Sequence, residues 1–179
     1  MSSMKSLFAA LLLSATALAP AMAASQGRAT AVIVDAQGQT RGNALLLQRG
    51  DAIHVTVQGV GLPAGVHAVH LHMTGTCTGP DFKSAGGHWN PSGRQHGRDN
   101  SMGAHMGDLP NMTVAADGTG TLDVVVAHAM LSGGPSPLLD ADGAAVVIHA
   151  DPDDYKTDPT GNAGGRLACG VIQPANAHP

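Results

Sequence analysis

Apolar residues along this chain recur in short runs, and none of the runs keeps a helical period for long. The runs are Ala29-Thr-Ala-Val-Ile-Val, Ala44-Leu-Leu-Leu-Gln, Ala52-Ile-His-Val-Thr-Val, Val66 to Met73, Met112-Thr-Val-Ala, Thr121-Leu-Asp-Val-Val-Val, Ala145-Val-Val-Ile-His and Leu167-Ala-Cys-Gly-Val-Ile. Alternation or β-branched enrichment over four to eight residues is the signature of a strand. Turn dipeptides separate several of them, notably Gln37-Gly38 and the hairpin-forming Asp117-Gly118. About eight short strands with turn punctuation predict an all-β sandwich or barrel. Two stretches break the rhythm: 74–110 and 151–166 are rich in Gly, Pro, Asn and Asp and lack periodicity. Loops of that length inside a domain are usually functional when they are ordered.

The N-terminus reads differently. Lys5 precedes the apolar run Leu7 to Ala19, and Ala21-Met22-Ala23 has the small-x-small form of a cleavage site. The run is too short to be a convincing membrane span. The expectation is therefore a signal peptide over 1–23, a single domain over 24–179 with a flexible tail after about residue 173, and export to the periplasm. No cysteine lies in the leader to carry a lipid anchor. The formal charge is −4 for the whole chain and −5 once Lys5 is set aside. With two Phe, one Tyr and one Trp, neither a basic footprint nor stacking platforms for nucleic acid are present.

Cys77 and Cys169 are the two cysteines. In an oxidising compartment two cysteines most simply pair, and two free thiols as metal ligands are the alternative. A bridge closing so long a loop would add roughly 4–5 kcal/mol on the chain-entropy account.

The candidate chemistry is imidazole. In H-A-V-H-L-H, residues 67–72, strand alternation puts His70 and His72 on one face and His67 on the other. Two imidazoles on one face are a ready chelate. The first long loop adds His88, His96, His105 and Asp108, enough to complete a tetrahedral zinc shell of the closed, structural kind. His149 follows Val146-Val-Ile and can join His70 and His72 around a second metal, where nitrogen-rich surroundings suit copper.

In order and spacing, V-H-L-H, A-G-G-H-W-N-P, H-M-G-D-L-P-N, H-A-D-P-D-D and G-N-A-G-G-R-L-A-C-G-V-I resemble the copper–zinc superoxide dismutases over about residues 29–172. The resemblance implies a Greek-key β-barrel with one Cu2+ and one Zn2+ per subunit held in loops outside it. It implies copper on His70, His72, His88 and His149, and zinc on His88, His96, His105 and Asp108, with His88 as the bridge. It further implies Asp153 as a carboxylate linking His70 to His96, Arg166 as the guanidinium that attracts superoxide, and a Cys77–Cys169 disulfide. His67 would make a backbone hydrogen bond. The implied reaction is disproportionation of superoxide to oxygen and hydrogen peroxide, with His88 releasing copper and taking up a proton in the reduced state.

Ala68-Val69 replaces a Gly-Phe pair usual in the family, Trp89 stands where many members have Phe, and 151–166 lacks a Glu/Lys cluster. Lys83 and Lys156 are the other candidates for steering substrate, against the plainer reading of solvated lysines. His54 and His128 have no partners by spacing, and His178 lies in the tail. Met73, Met102, Met106 and Met112 suit a Cu(I) store by chemistry but are scattered, as gap-filling methionines are. Two rival readings accompany the enzyme: a non-enzymatic copper/zinc-binding or delivery protein on the same fold, and a structural module. Monomer and homodimer both stay open, and no membrane insertion is expected once the leader is removed.

Overall fold

The computed structural model describes residues 27–175, so the expected leader and His178 lie outside the described residues. Nine strands follow in chain order: β1 (Arg28–Asp35), β2 (Thr40–Arg49), β3 (Ala52–Gly59), β4 (Gly65–His67), β5 (Val69–His72), β6 (Met112–Val114), β7 (Gly120–Ala127), β8 (Ala144–His149) and β9 (Arg166–Pro174). They form one antiparallel sheet in the order β4-β6-β7-β3-β2-β1-β9-β8-β5. The sheet curls until its two ends, β4 and β5, are joined by the single residue Ala68, which makes a nearly closed all-β barrel.

This closure corrects the expected strand 66–73. The run breaks at Ala68, so His67 is set apart from His70 and His72 by belonging to the opposite end of the sheet, and not by alternation along one strand. The seam is stitched by backbone groups: Ala68 N–H donates to Asp151 O at 3.0 Å and His149 N–H to Ala68 O at 2.9 Å. The His67 ring adds to it, with Nδ1 2.8 Å from His149 O and Nε2 2.9 Å from Pro63 O.

Period-two burial fills the interior. Ala29, Ala31 and Ile33 of β1, Ala44 and Leu46 of β2, and Ile53, Val55 and Val57 of β3 point inward with Leu71, Val146 and Ile148. In β8 every residue is buried, because its outer face is covered as well. Ala145 and Val147 of that face meet Cys169, Phe82 and Ala85 in a second cluster, with Cys77 packed against it. Phe82 and Ala85 come from the loop after β5, where Lys83–Ala85 make one 3-10 turn, and the Cys77–Cys169 disulfide fastens that loop to β9.

A third irregular stretch, 128–143, has no mark in the hydrophobic pattern. It sends Ala129, Leu131 and Leu138 into the core. Buried Gln48 anchors it, donating to Ala129 O at 3.0 Å and accepting from Leu131 N–H at 2.7 Å. Trp89 packs into the main core, and Ala68 and Val69 are fully buried.

Phe82→Ala is expected to cost about 3–5 kcal/mol, since it empties the outer cluster under a covalently held loop. Val32→Ala, at an exposed site on β1, should stay within about 0.5 kcal/mol. Urea unfolding of the disulfide-intact protein measures both. Equal costs would mean that the second cluster carries no stability.

Candidate metal centre

The long loop after β5 is laid against that strand as extra backbone rungs. Trp89 N–H donates to Leu71 O at 2.8 Å, Leu71 N–H to Gly107 O at 2.9 Å, and Gly107 N–H to Trp89 O at 2.9 Å. Leu71 has its side chain in the core, so its neighbours His70 and His72 point out of the barrel beneath the loop. The same rungs set His88 opposite His72 and Asp108 opposite His70. His149, at the end of β8, arrives from the other side.

Two four-membered groups of donor atoms result, and His70, His96 and Asp153 form a smaller third. His70, His72, His88 and His149 form the first and His88, His96, His105 and Asp108 the second, each with atoms within 4.8 Å of one another. In the second group Asp108 Oδ1 stands 2.8 Å from His88 Nδ1, 3.0 Å from His96 Nδ1 and 3.1 Å from His105 Nδ1, while His105 Nδ1 is 3.3 Å from His88 Nδ1. Four donors tetrahedrally arranged about 2.0–2.1 Å from one ion would be about 3.3 Å apart, so these spacings are close to what zinc requires. In the first group His70 Nδ1 lies 3.2 Å from His149 Nε2.

Hydrogen bonds on the outer ring nitrogens of three histidines turn their inner nitrogens towards the two donor groups. His72 Nδ1 bonds Gly86 O at 2.9 Å, His70 Nε2 bonds Asp153 Oδ2 at 2.8 Å and His96 Nε2 bonds Asp153 Oδ1 at 2.9 Å. His72 Nε2, His88 Nε2 and His96 Nδ1 are buried without a hydrogen-bond partner, and so is His149 Nδ1. Unpartnered buried nitrogens converging on two points fit two metal ions. His88 alone belongs to both groups, offering Nδ1 to one and Nε2 to the other.

Asp153 is itself held from behind. Asn111 Oδ1 accepts its N–H at 2.8 Å, Asn111 Nδ2 donates to its carbonyl at 3.0 Å, and Asn111 N–H reaches Tyr155 Oη at 2.9 Å. Gly161, at φ +65°, passes so close that a methyl group there would overlap Asp153 Oδ1 and His96 Nε2. Neither Asn111 nor Gly161 is a ligand type in its own right. The one signal for Asn111 is its place at the end of the H-M-G-D-L-P-N run.

A cavity of about 790 Å³ opens onto the first group and is lined by His88, His149, Arg166, Met73, Lys83 and Thr160 among others. Arg166 is fixed at its wall, with Nη1 donating to Phe82 O at 2.6 Å and Nη2 to Gly86 O at 2.7 Å. Lys83 reaches the cavity but pairs with Asp81 at 2.9 Å, which offsets its charge, and exposed Lys156 is not among the lining residues. His54 is exposed, and His128 pairs with Asp51 at 3.0 Å on the surface. The methionines do not converge: Met73 and Met102 are exposed, Met112 is buried in the core and Met106 packs against it.

Comparison with known proteins agrees with this geometry. The family model described as copper/zinc superoxide dismutase matches residues 40–172. A copper–zinc superoxide dismutase of Caulobacter vibrioides is 43% identical over 148 residues, 81% of this chain and 85% of its own. A second, from Aquifex aeolicus, is 41% identical over 150 residues, 82% of this chain and 86% of its own. The superoxide dismutase-like protein YojM of Bacillus subtilis is 42% identical over 123 residues, 67% of this chain and 61% of its own. Among solved structures, a superoxide dismutase-like protein from Bacillus subtilis superposes with TM-score 0.73 at 36% identity, over 79% of this chain and 96% of its own.

Electrostatics gives the metal-free site an acid limit. Burial, together with neighbouring imidazoles, pulls His72 down to about 2, His149 to about 3 and His88 to about 4. Burial opposes charge on His96 too, but the Asp108 and Asp153 carboxylates beside it outweigh it and lift that ring to about 9. Burial likewise disfavours the Asp108 and Asp153 carboxylates, yet their imidazole partners hold both well below the usual range. The three depressed histidines bind protons in the unfolded chain near pH 6.5 and not in the fold. Stability is therefore lost as pH falls below that value, whereas His96 contributes fully below pH 6.5 and loses its share towards pH 9. Metal-free protein is expected to lose on the order of 4 kcal/mol between pH 7 and pH 5. Urea unfolding with chelator present measures it, and a flat profile would sink the argument.

Proposed function

We propose that this chain, which belongs to the copper/zinc superoxide dismutase family, disproportionates superoxide to oxygen and hydrogen peroxide after export from the cytoplasm. The observation that carries the reading is the joining of both donor groups through His88, at the floor of a cavity whose wall holds a fixed guanidinium. We assign one copper to His70, His72, His88 and His149, and one zinc to His88, His96, His105 and Asp108.

Bound copper would supply one-electron cycling, and bound zinc a fixed positive charge on the far nitrogen of His88. The protein's own residues do the rest. His70, His72 and His149 stand on strands, and loop groups orient two of the rings, Asp153 that of His70 and the Gly86 carbonyl that of His72. His88 has Nδ1 facing Asp108 and Nε2 free of hydrogen bonds, so Nε2 is the atom at which a proton can be held and passed to the departing product. Arg166 offers an anion a rigid cation beside the cluster. Local positive potential on an acidic protein focuses a small anion and makes its encounter rate salt-dependent.

Export is proposed from the leader expected over residues 1–23. The Cys77–Cys169 bridge suits an oxidising compartment such as the periplasm. A second reading, a non-enzymatic copper/zinc-binding protein, is favoured by one observation: a relative 42% identical to this chain bears the name superoxide dismutase-like. The complete donor set and Arg166 support the enzyme instead.

Mature protein loaded with copper and zinc should disproportionate superoxide quickly, and His149→Ala should lose at least roughly 100-fold of that activity. Arg166→Gln should lose about tenfold and show a weaker salt dependence. Pulse radiolysis across ionic strengths, with metal analysis of each sample, decides. A parent that binds one copper and one zinc but is inactive would make the binding protein the better reading.

A further inference from the structure

The three imidazoles of the zinc group all turn Nδ1 inward, so each has an Nε2 directed elsewhere. His88 sends its Nε2 to the other donor group, and His96 sends its own to Asp153 Oδ1 at 2.9 Å. The Nε2 of His105 faces Asp158, whose Oδ1 lies 3.9 Å away. That same oxygen accepts the backbone N–H of His96 at 2.5 Å. We propose that Asp158 is a positioning residue of the zinc site, an outer carboxylate for His105 as Asp153 is for His96. The proposal rests on the assignment of zinc to this group.

The chemistry follows from the ring. An imidazole that gives its Nδ1 lone pair to a cation keeps its proton on Nε2, and the cation makes that N–H a stronger donor. At 3.9 Å the carboxylate attracts it without a hydrogen bond, and a small closure of the loop would form one. Surrounding contacts hold Asp158 in place for this. Asp154 binds Thr157 through its backbone N–H at 2.8 Å and its hydroxyl at 2.6 Å, and Gly161 N–H closes back on Thr157 O at 2.6 Å. The zinc-binding loop is interlocked with this turn: Asp99 N–H bonds Tyr155 O at 3.0 Å, and the Arg98 guanidinium lies 3.8 Å over the Tyr155 ring. Gly97, at φ +100°, lets the loop approach so closely that a methyl group would overlap the Tyr155 carbonyl. Pro159 and Thr160, next in the chain, line the cavity above the copper group. Asp158 thus joins the zinc ligands to the wall of the substrate channel.

The test separates charge from scaffolding. In Asp158→Asn the amide oxygen can still accept the His96 N–H, but the negative charge facing His105 is gone; Asp158→Ala removes both. Parent, D158N and D158A are each loaded with one zinc, and its release to excess colorimetric chelator is timed. Melting midpoints are recorded for the metal-free forms. D158N is expected to release zinc about tenfold faster than the parent with an unchanged metal-free midpoint, the low end of the effect of losing an outer-shell partner. D158A is expected to release zinc at least as fast and to melt lower. A D158N protein that holds zinc as long as the parent overturns the proposal and leaves Asp158 a loop staple. A parent that retains no zinc overturns instead the zinc assignment beneath it.

Discussion

The backbone of Leu71 is where the barrel and its chemistry meet. The side chain is sealed in the core, and both main-chain groups are taken by a loop of very little apolar content. That loop could not order itself by burial, because fixing each residue costs about 1–2 kcal/mol of backbone entropy. Sheet-like rungs to Leu71, the disulfide at Cys77 and the Phe82 plug provide what its composition lacks. Since side chains alternate, the residues flanking Leu71 must face the loop, and both are histidines. The placement of four donor atoms, from His70, His72, His88 and Asp108, follows from that one pairing.

The same convergence is unfavourable in the absence of metal. A buried polar atom left unpaired costs about 1–3 kcal/mol, and the centre holds several ring nitrogens of this kind. The outer hydrogen bonds lock the rings of His70, His72 and His96 and prevent these imidazoles from turning to satisfy themselves. The fold therefore keeps its ligands in an unfavourable arrangement that a cation relieves, and metal binding adds directly to folding free energy. Asp153 is central to this, since one carboxylate orients a ring in each group.

Much of this is legible in the order of the residues. Strand-length runs and turn dipeptides point to an all-β fold, and the spaced histidines point to two metals because few other chemistries need so many imidazoles in so few residues. What the pattern hides depends on distant segments meeting. Val66 to Met73 reads as one strand because Ala68 breaks no local rule; only closure of the sheet divides it. The stretch 128–143 carries core residues at no regular period, so it reads as mere punctuation. Asn111 and Asp158 act on backbone groups and outer nitrogens, and no residue-type rule marks such roles.

The two donor groups differ in what holds them, and this orders their dependence on each other. Three rings of the copper group stand on β5 and β8, the best buried part of the sheet, while the zinc group is drawn wholly from loop residues. The copper site takes from the loops its fourth ring, His88, and the Asp153 carboxylate behind His70. Both lie in segments that the zinc group ties together, His88 as a member and Asp153 through His96. The Gly86 carbonyl adds a third tie, since it accepts from His72 and from Arg166 and so sets the guanidinium relative to the cluster. Zinc in this arrangement does no redox chemistry. Bound there, it would hold the loop nearly as firmly as a strand, so that a shared imidazole and an anion-attracting cation could be held to the barrel with comparable accuracy.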